Sequence, residues 1–148
     1  MDRIALREYR PGDTAAMYAL DLLCFDPVFQ FSRRVMQRFA EAPGAVTLLA
    51  ELQNQLAGFC IVQREERVGY VVTLDVVPVW RRRGLARHLM SEVESRMHSA
   101  GAECMELHVF TGNVGAIQFY EGIEYRPSGR AENFYGKGLD ALVYRKKL

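Results

Sequence analysis

The chain reads as an α/β protein built on a mixed sheet. An apolar, β-branched run covers residues 68–77 and strict alternation covers 103–110, while between them Leu85, Leu89, Val93 and Met97 recur every fourth residue. Strand, helix and strand in that order form a crossover unit, so the two strands are parallel neighbours. The other strands are linked by short turns and pair as hairpins.

Alternation in Ile4-Ala5-Leu6-Arg7-Glu8-Tyr9 predicts a first strand, and Pro11-Gly12-Asp13 supplies a turn with Asp13 as helix N-cap for residues 14–23. Residues 24–31 are aromatic and interrupted by Pro27, which predicts a loop before a second helix over 32–40. Strands at 46–51 and 56–63 flank Gln53-Asn54-Gln55 as a hairpin, and the strand 68–77 follows Arg64-Glu65-Glu66-Arg67. A helix over 84–98 is closed by Gly101. In 103–110, Met105, Leu107 and Val109 share the face that packs on this helix, and Cys104, Glu106 and His108 share the other. A short helix at 113–120, an edge strand near 123–126, a loop holding Asn133-Phe134-Tyr135-Gly136 and a last strand at 139–145 follow. Without repeats or linkers, residues 1–148 read as a single domain.

Nineteen Lys+Arg against eighteen Asp+Glu leave a net charge of +1, with 49% hydrophobic and 25% charged residues. That balance excludes a disordered chain and a nucleic-acid binder relying on net charge. Cys24, Cys60 and Cys104 form an odd set without C-x-x-C or a histidine at metal-ligand spacing, so neither a disulfide framework nor a metal site is expected. The N-terminus carries charge from Asp2 and lacks an apolar signal core, and the longest apolar stretch, 68–80, is broken by Asp75 and Pro78. A cytoplasmic protein with no membrane role is the expectation.

Between the central strand and its helix stands Arg81-Arg82-Arg83-Gly84-Leu85-Ala86-Arg87. Free N–H groups at a helix start, the positive end of its dipole, a glycine and flanking arginines suit a pyrophosphate. A basic N-cap loop held by Gly84 alone has the same sequence. Neither G-x-x-x-x-G-K-[ST] nor G-x-G-x-x-G is present.

Arg81-x-x-Gly84-x-Ala86 resembles the R/Q-x-x-G-x-G/A coenzyme A loop of the GNAT acyltransferases, and Leu74-Asp75-Val76-Val77-Pro78 resembles the strand that precedes it. Asn113-Val114-Gly115-Ala116-Ile117-Gln118-Phe119-Tyr120 is similar to that family's N-x-x-A-x-x-F/L-Y helix. The resemblance spans the C-terminal half and implies the GNAT fold, a mostly antiparallel sheet with a central parallel pair flanked by helices. Cys24-Phe25-Asp26-Pro27, Asn133-Phe134-Tyr135 and Asp140-Ala141-Leu142 resemble segments of its N-terminal acetyltransferases.

The resemblance implies acetyl-CoA as cofactor, with backbone groups of Leu74, Asp75 and Val76 and the side chain of Asn113 along the pantetheine arm. Residues 81–87 (Arg81, Arg82, Arg83, Gly84, Leu85, Ala86, Arg87) would hold the pyrophosphate, and Tyr120 would stand by the thioester sulfur. The bacterial subgroup carries a glutamate base where this chain has His108; a eukaryotic subgroup has L-H-V there, as in Leu107-His108-Val109, with a tyrosine in Y-x-x-T-L, here Tyr70-Val71-Val72-Thr73-Leu74. A second departure is Gly122-Ile123-Glu124-Tyr125 for the family's L-G-F, which is expected to shift the helix end after Tyr120.

The chemistry gives these residue types independent sense. An amine arrives as ammonium near neutral pH and must lose a proton before attacking a thioester, so a base with a pKa near working pH is required. His108 fits, with Glu106 on the same strand face as the other candidate base. A strand histidine and Tyr70 also suit purely structural roles. Phe25, Pro27, Phe29, Phe134 and Tyr135 are candidate walls of an acceptor pocket favouring an uncharged first residue such as Met, Ala or Ser. The expected activity is direct acetyl transfer to the α-amino group of a peptide or protein N-terminus. The alternatives are a small-molecule amine (polyamine, aminoglycoside or amino acid) as acceptor, and a non-catalytic acyl-CoA-binding module.

Overall fold

A computed structural model describes residues 3–148; Met1 and Asp2, with the early charge at Asp2, lie outside the described residues. The elements run β1 (Ala5–Glu8), α1 (Thr14–Cys24), a 3-10 turn (Pro27–Phe29), α2 (Arg33–Ala40), β2 (Val46–Leu52), β3 (Gln55–Glu65) and β4 (Val68–Val76). A second 3-10 turn (Pro78–Trp80), α3 (Leu85–Ser99), β5 (Cys104–Phe110), α4 (Val114–Gly122), β6 (Arg126–Gly136) and β7 (Leu139–Lys147) complete the order. Among the described residues the strands form one seven-stranded sheet in the order β1-β2-β3-β4-β5-β7-β6. Only β4 and β5 pair in parallel; the other neighbours are antiparallel. Among the described residues no helix is long and apolar enough to cross a membrane.

The sheet separates two cores. On one face Leu89, Val93 and Met97 of α3 pack on Met105, Leu107 and Val109 of β5, as their periodicities require. Leu89 and Val93 have no solvent exposure, and each such side chain contributes about 1.5–3 kcal/mol by leaving water. On the other face Met17, Leu20 and Met36 of α1 and α2 cover Leu49, Phe59 and Ile61. The β2–β3 turn carries Gln53 at φ 52° and Asn54 at φ 61°, the two left-handed residues of a tight hairpin.

Three local expectations are corrected. Asp13 precedes α1 but makes no capping bond with its side chain. Its carboxylate instead receives the Arg7 guanidinium at 2.9 Å on both oxygens and the Arg10 N–H at 2.6 Å, a charge-assisted set stronger than a cap. The edge strand is not at 123–126: Ile123 and Tyr125 are buried under the helices, and β6 begins at Arg126. The stretch 133–136 belongs to β6 rather than to a loop, although its pairing with β7 shifts register between Ala131 and Gly136. As for α4, it runs on to Gly122, and Glu124 at φ 76° takes the left-handed position a glycine would otherwise hold, at a cost of about 1 kcal/mol.

Candidate active site

β4 and β5 pair only from Val68 and Cys104 to Val71 and Leu107. The cause of their parting lies on the opposite edge of β4, where Val62 pairs Val71 but Ile61 pairs Thr73, leaving Val72 as an extra residue. Such a bulge bends the strand and reverses its alternation. Before it, Val71 joins the α3 core; after it, Leu74 and Val76 do, while Asp75 faces α1. A cavity of about 380 Å³ opens where the strands diverge, between Thr73 and Leu74 on one side and Leu107 and His108 on the other. Phe25, Phe29, Asn113, Tyr120 and Tyr135 also line it, so seven of the residues singled out in the sequence meet there.

His108 sits between two rings. Its Nδ1 lies 2.8 Å from the Tyr70 hydroxyl, and its plane is stacked on Phe134 at 4.1 Å and 5°. Burial lowers the imidazole pKa below 6.5, against an upward pull from the Glu106 charge, so the ring favours the neutral form a base needs. Tyr70 lies outside the cavity wall and reaches the site through His108. Burial pushes its phenol up to about 12, so it stays protonated and its oxygen can accept from Nδ1–H, leaving Nε2 as the free acceptor of the ring. Glu106 is off the cavity and held by Arg145 at 2.7 Å, which removes it from contact with an amine there.

Tyr120 is buried with its ring against Phe119 and Tyr125, and burial raises its phenol far above the usual range. It therefore keeps its proton at any working pH. Asn113 caps α4, its side chain accepting from Ala116 N–H at 3.2 Å.

The segment 81–87 lies beyond the cavity wall. Gly84 is the N-cap of α3 at φ 84°, Arg82 is left-handed at φ 64°, and the first helical bond runs from His88 N–H to Gly84. The N–H groups of residues 84–87 are thus without helical partners, and a side chain at Gly84 would meet nothing within 4 Å. Arg81 is tied to the Val76 carbonyl at 3.1 Å and Arg83 lies over Trp80 at 5.1 Å, whereas Arg82 and Arg87 are exposed. A helix N-terminus with open space and two free guanidinium groups fits a pyrophosphate.

The β6–β7 hairpin is locked by its polar residues. Asn133 N–H donates to Asp140 at 2.9 Å, Gly138 N–H donates to Asn133 at 2.7 Å, and Arg130 pairs with Asp140 at 2.8 Å. This presents Tyr135, whose ring packs on Phe29 at 5.0 Å, to the cavity. Phe134 and Pro27 do not line the cavity; Phe134 stacks on His108 and Pro27 is exposed at the start of its turn. Asp75 and Val76 are buried and also off the wall. Sequence reasoning missed Phe110 and Asp21. Phe110 continues the Cys104, Glu106, His108 alternation and packs on Phe29 at 5.0 Å. Asp21 could have been noticed as a carboxylate on the apolar Met17, Leu20 and Cys24 face of α1.

With this geometry in place, comparison with known proteins is decisive about family. The profile of the Acetyltransferase (GNAT) family matches residues 14–124. The chain belongs to that family. It is 26% identical over 151 residues to the N-terminal acetyltransferase A complex catalytic subunit NAA10 of Arabidopsis thaliana, covering 98% of this chain and 78% of that protein. The fold superimposes on the ribosomal-protein-S18-alanine N-acetyltransferase of Escherichia coli with a TM-score of 0.85 at 20% identity, over 99% of this chain and 94% of that one. An aminoglycoside 6'-N-acetyltransferase complexed with coenzyme A gives 0.82 at 17% identity, over 97% and 96%. As a GNAT N-acetyltransferase, this chain takes acetyl-CoA as its cofactor, and the mixed sheet with one parallel pair is the GNAT fold.

Proposed function

We propose that this GNAT enzyme acetylates the α-amino group of a peptide or protein N-terminus by direct transfer. One observation carries the reading over a polycationic acceptor: the cavity wall beside His108 is aromatic, with Phe29, Phe110 and Tyr135 in mutual ring contact, and Asp26 is its only carboxylate among the described residues. Such a wall holds an extended chain and an uncharged first side chain, Met, Ala or Ser, and offers little to several positive charges. The similarity to NAA10 points the same way.

Acetyl-CoA supplies the acyl group as a thioester. His108 takes the proton of the incoming amine, with Tyr70 setting its tautomer, and the Tyr120 phenol protonates the departing thiolate. Backbone groups of residues 74–76 and the side chain of Asn113 hold the pantetheine arm, and residues 81–87 hold the pyrophosphate. No cysteine serves as an acyl carrier in this scheme. Burial pushes the Cys24 thiol up to about 11 and raises Cys60 further, which removes the thiolate a nucleophile requires. All three cysteines are free thiols; a cytoplasmic location and a single domain over residues 1–148 belong to this same proposal.

A second reading, a small polyamine or aminoglycoside acceptor, is favoured by a groove behind Tyr70 carrying Glu65, Glu66 and Glu106. Coenzyme A release measured with acetyl-CoA separates the two. Short peptides with free N-termini should exceed free lysine, spermidine and aminoglycosides by at least ~10-fold in kcat/KM, about 1.4 kcal/mol. Tyr135→Ala should erode that preference. Small amines ranking above peptides would establish the second reading.

A further inference from the structure

Asp21 of α1 and Asp75 of β4 are both without solvent exposure. One oxygen of each has a local donor: Thr73 Oγ1 donates to Asp75 Oδ1 at 2.5 Å, and Phe31 N–H donates to Asp21 Oδ2 at 3.0 Å. Asp21 Oδ1 and Asp75 Oδ2 are buried with no hydrogen-bond partner among the described residues, and the two carboxyls are close enough for Asp21 to hold Asp75 toward its protonated form. Two such carboxyls can satisfy each other's unpartnered oxygens only with a proton between them, because both oxygens are acceptors and adjacent negative charges out of water repel strongly.

The pair joins two walls of the cavity. Phe31 N–H ends the segment 25–31, which is also cross-tied by Gln30 Nε2 to the Phe25 carbonyl at 2.8 Å, and Phe25, Phe29 and Phe31 all line the cavity. On the other side Thr73 stands on β4 in the wall itself. A proton between the two carboxyls would complete a chain of hydrogen bonds from β4 through both of them to the loop. We propose that Asp21 and Asp75 share one proton and act as a positioning pair, clamping the 25–31 loop to the strand that faces acetyl-CoA. The functional part of this inference rests on the reading that the loop borders the acceptor.

The surroundings support a single shared proton. Burial and Asp21 hold the Asp75 pKa well above 3.8, and Arg81 opposes them only in part. The other titratable groups that feel the Asp75 charge, Cys24 on α1, Cys60 on β3 and Tyr120 on α4, are themselves kept protonated. Because the folded pKa is raised, the stabilisation is full below 3.8 and is lost as pH rises toward the folded value. Raising the pH through the folded value removes the shared proton, sets two negative charges in contact and loosens the loop.

Asp21→Asn tests this, since its amide donates to Asp75 and its carbonyl accepts from Phe31, keeping both bonds without a shared proton. Asp21→Leu keeps neither. Hydrogen exchange on the free protein, corrected for intrinsic rates, should show parent protection of residues 25–31 falling about 10-fold from pH 6 to pH 9, with Asp21→Asn constant and Asp21→Leu unprotected at both. Parallel pH dependence in the parent and Asp21→Asn, or parent-like protection in Asp21→Leu, overturns the proposal. If Asp21→Leu does not fold, the first comparison decides alone. These readouts need no acceptor, so they fail separately from the peptide reading. In turnover at pH 7, Asp21→Leu should raise the acceptor KM several-fold with the acetyl-CoA Kd unchanged, and Asp21→Asn should restore the parent KM. An equal change in the acetyl-CoA Kd would overturn the loop assignment.

Discussion

The Tyr70 hydroxyl and His108 Nδ1 meet at 2.8 Å across the parallel strand pair, two residues before the bulge at Val72 and one residue past the last paired position of β5. The bond bridges the mouth of the opening and fixes the imidazole edge-on. Tyr70→Phe keeps the ring and deletes the tether. We expect kcat/KM to fall about 10-fold, roughly 1.4 kcal/mol, with coenzyme binding unchanged in calorimetry. Parent-level turnover would make Tyr70 packing alone.

His108→Ala should lower kcat at neutral pH by roughly 10² to 10⁴ with little change in the acetyl-CoA KM. Raising the pH should recover part of the loss, because the amine then sheds its own proton. An unaltered pH–rate profile would reassign the base.

Phe134→Ala probes the stacked face of the imidazole. The folded pKa of His108 is depressed by burial, so its contribution to stability is present above 6.5 and is lost as pH falls through the folded value. Uncovering the ring should move the acid limb of kcat/KM upward while leaving the acceptor KM unchanged. A raised KM with an unmoved limb would return Phe134 to the acceptor wall.

Tyr120→Phe should lower kcat by about 10-fold or more and leave acetyl-CoA affinity intact, since a buried phenol kept protonated loses its only proton to donate. Stopped-flow single turnovers would place the defect in the chemical step. Unchanged single turnovers would leave Tyr120 as packing.

Asn113→Ala removes the cap of α4 and should cost about 1 kcal/mol in denaturant unfolding. A separate loss of acetyl-CoA affinity is expected if its amide also holds the pantetheine arm. Loss of stability alone would confine Asn113 to the cap.

The fourfold spacing of Leu85, Leu89, Val93 and Met97 and the alternation around Met105 were enough to read α3, β5 and their packing, because each period maps onto one buried face. Gly84 as the N-cap of α3 was legible for a similar reason, since a glycine between a strand and a helical period marks where the helix starts. The bulge was not, because Val72 is apolar within an apolar run and one extra residue leaves no compositional mark. The place of Phe134 depended on an irregular stretch of β6 where register shifts between Ala131 and Gly136, so neither its direction nor its neighbour could be counted from the turn. Asp21 and Asp75 each look unremarkable in isolation, and only the tertiary fold brings them together. The arginine triplet shows a third kind of blindness: three identical residues in a row end up holding a carbonyl, facing solvent and covering an indole.

The extra residue at Val72 makes β4 behave as two strands spliced out of phase. Odd-numbered side chains report on the α3 layer before it and on the α1 layer after it, as Val71 and Asp75 illustrate. A substitution scan along this strand should therefore trace an alternating pattern of tolerance that inverts at Val72, and removing that single residue would restore one continuous alternation, with Thr73 and Asp75 still toward α1, while drawing β4 back beside β5. The opening between β4 and β5 is in that sense a counting error preserved in the chain, and its depth is set by where along the strand the error falls.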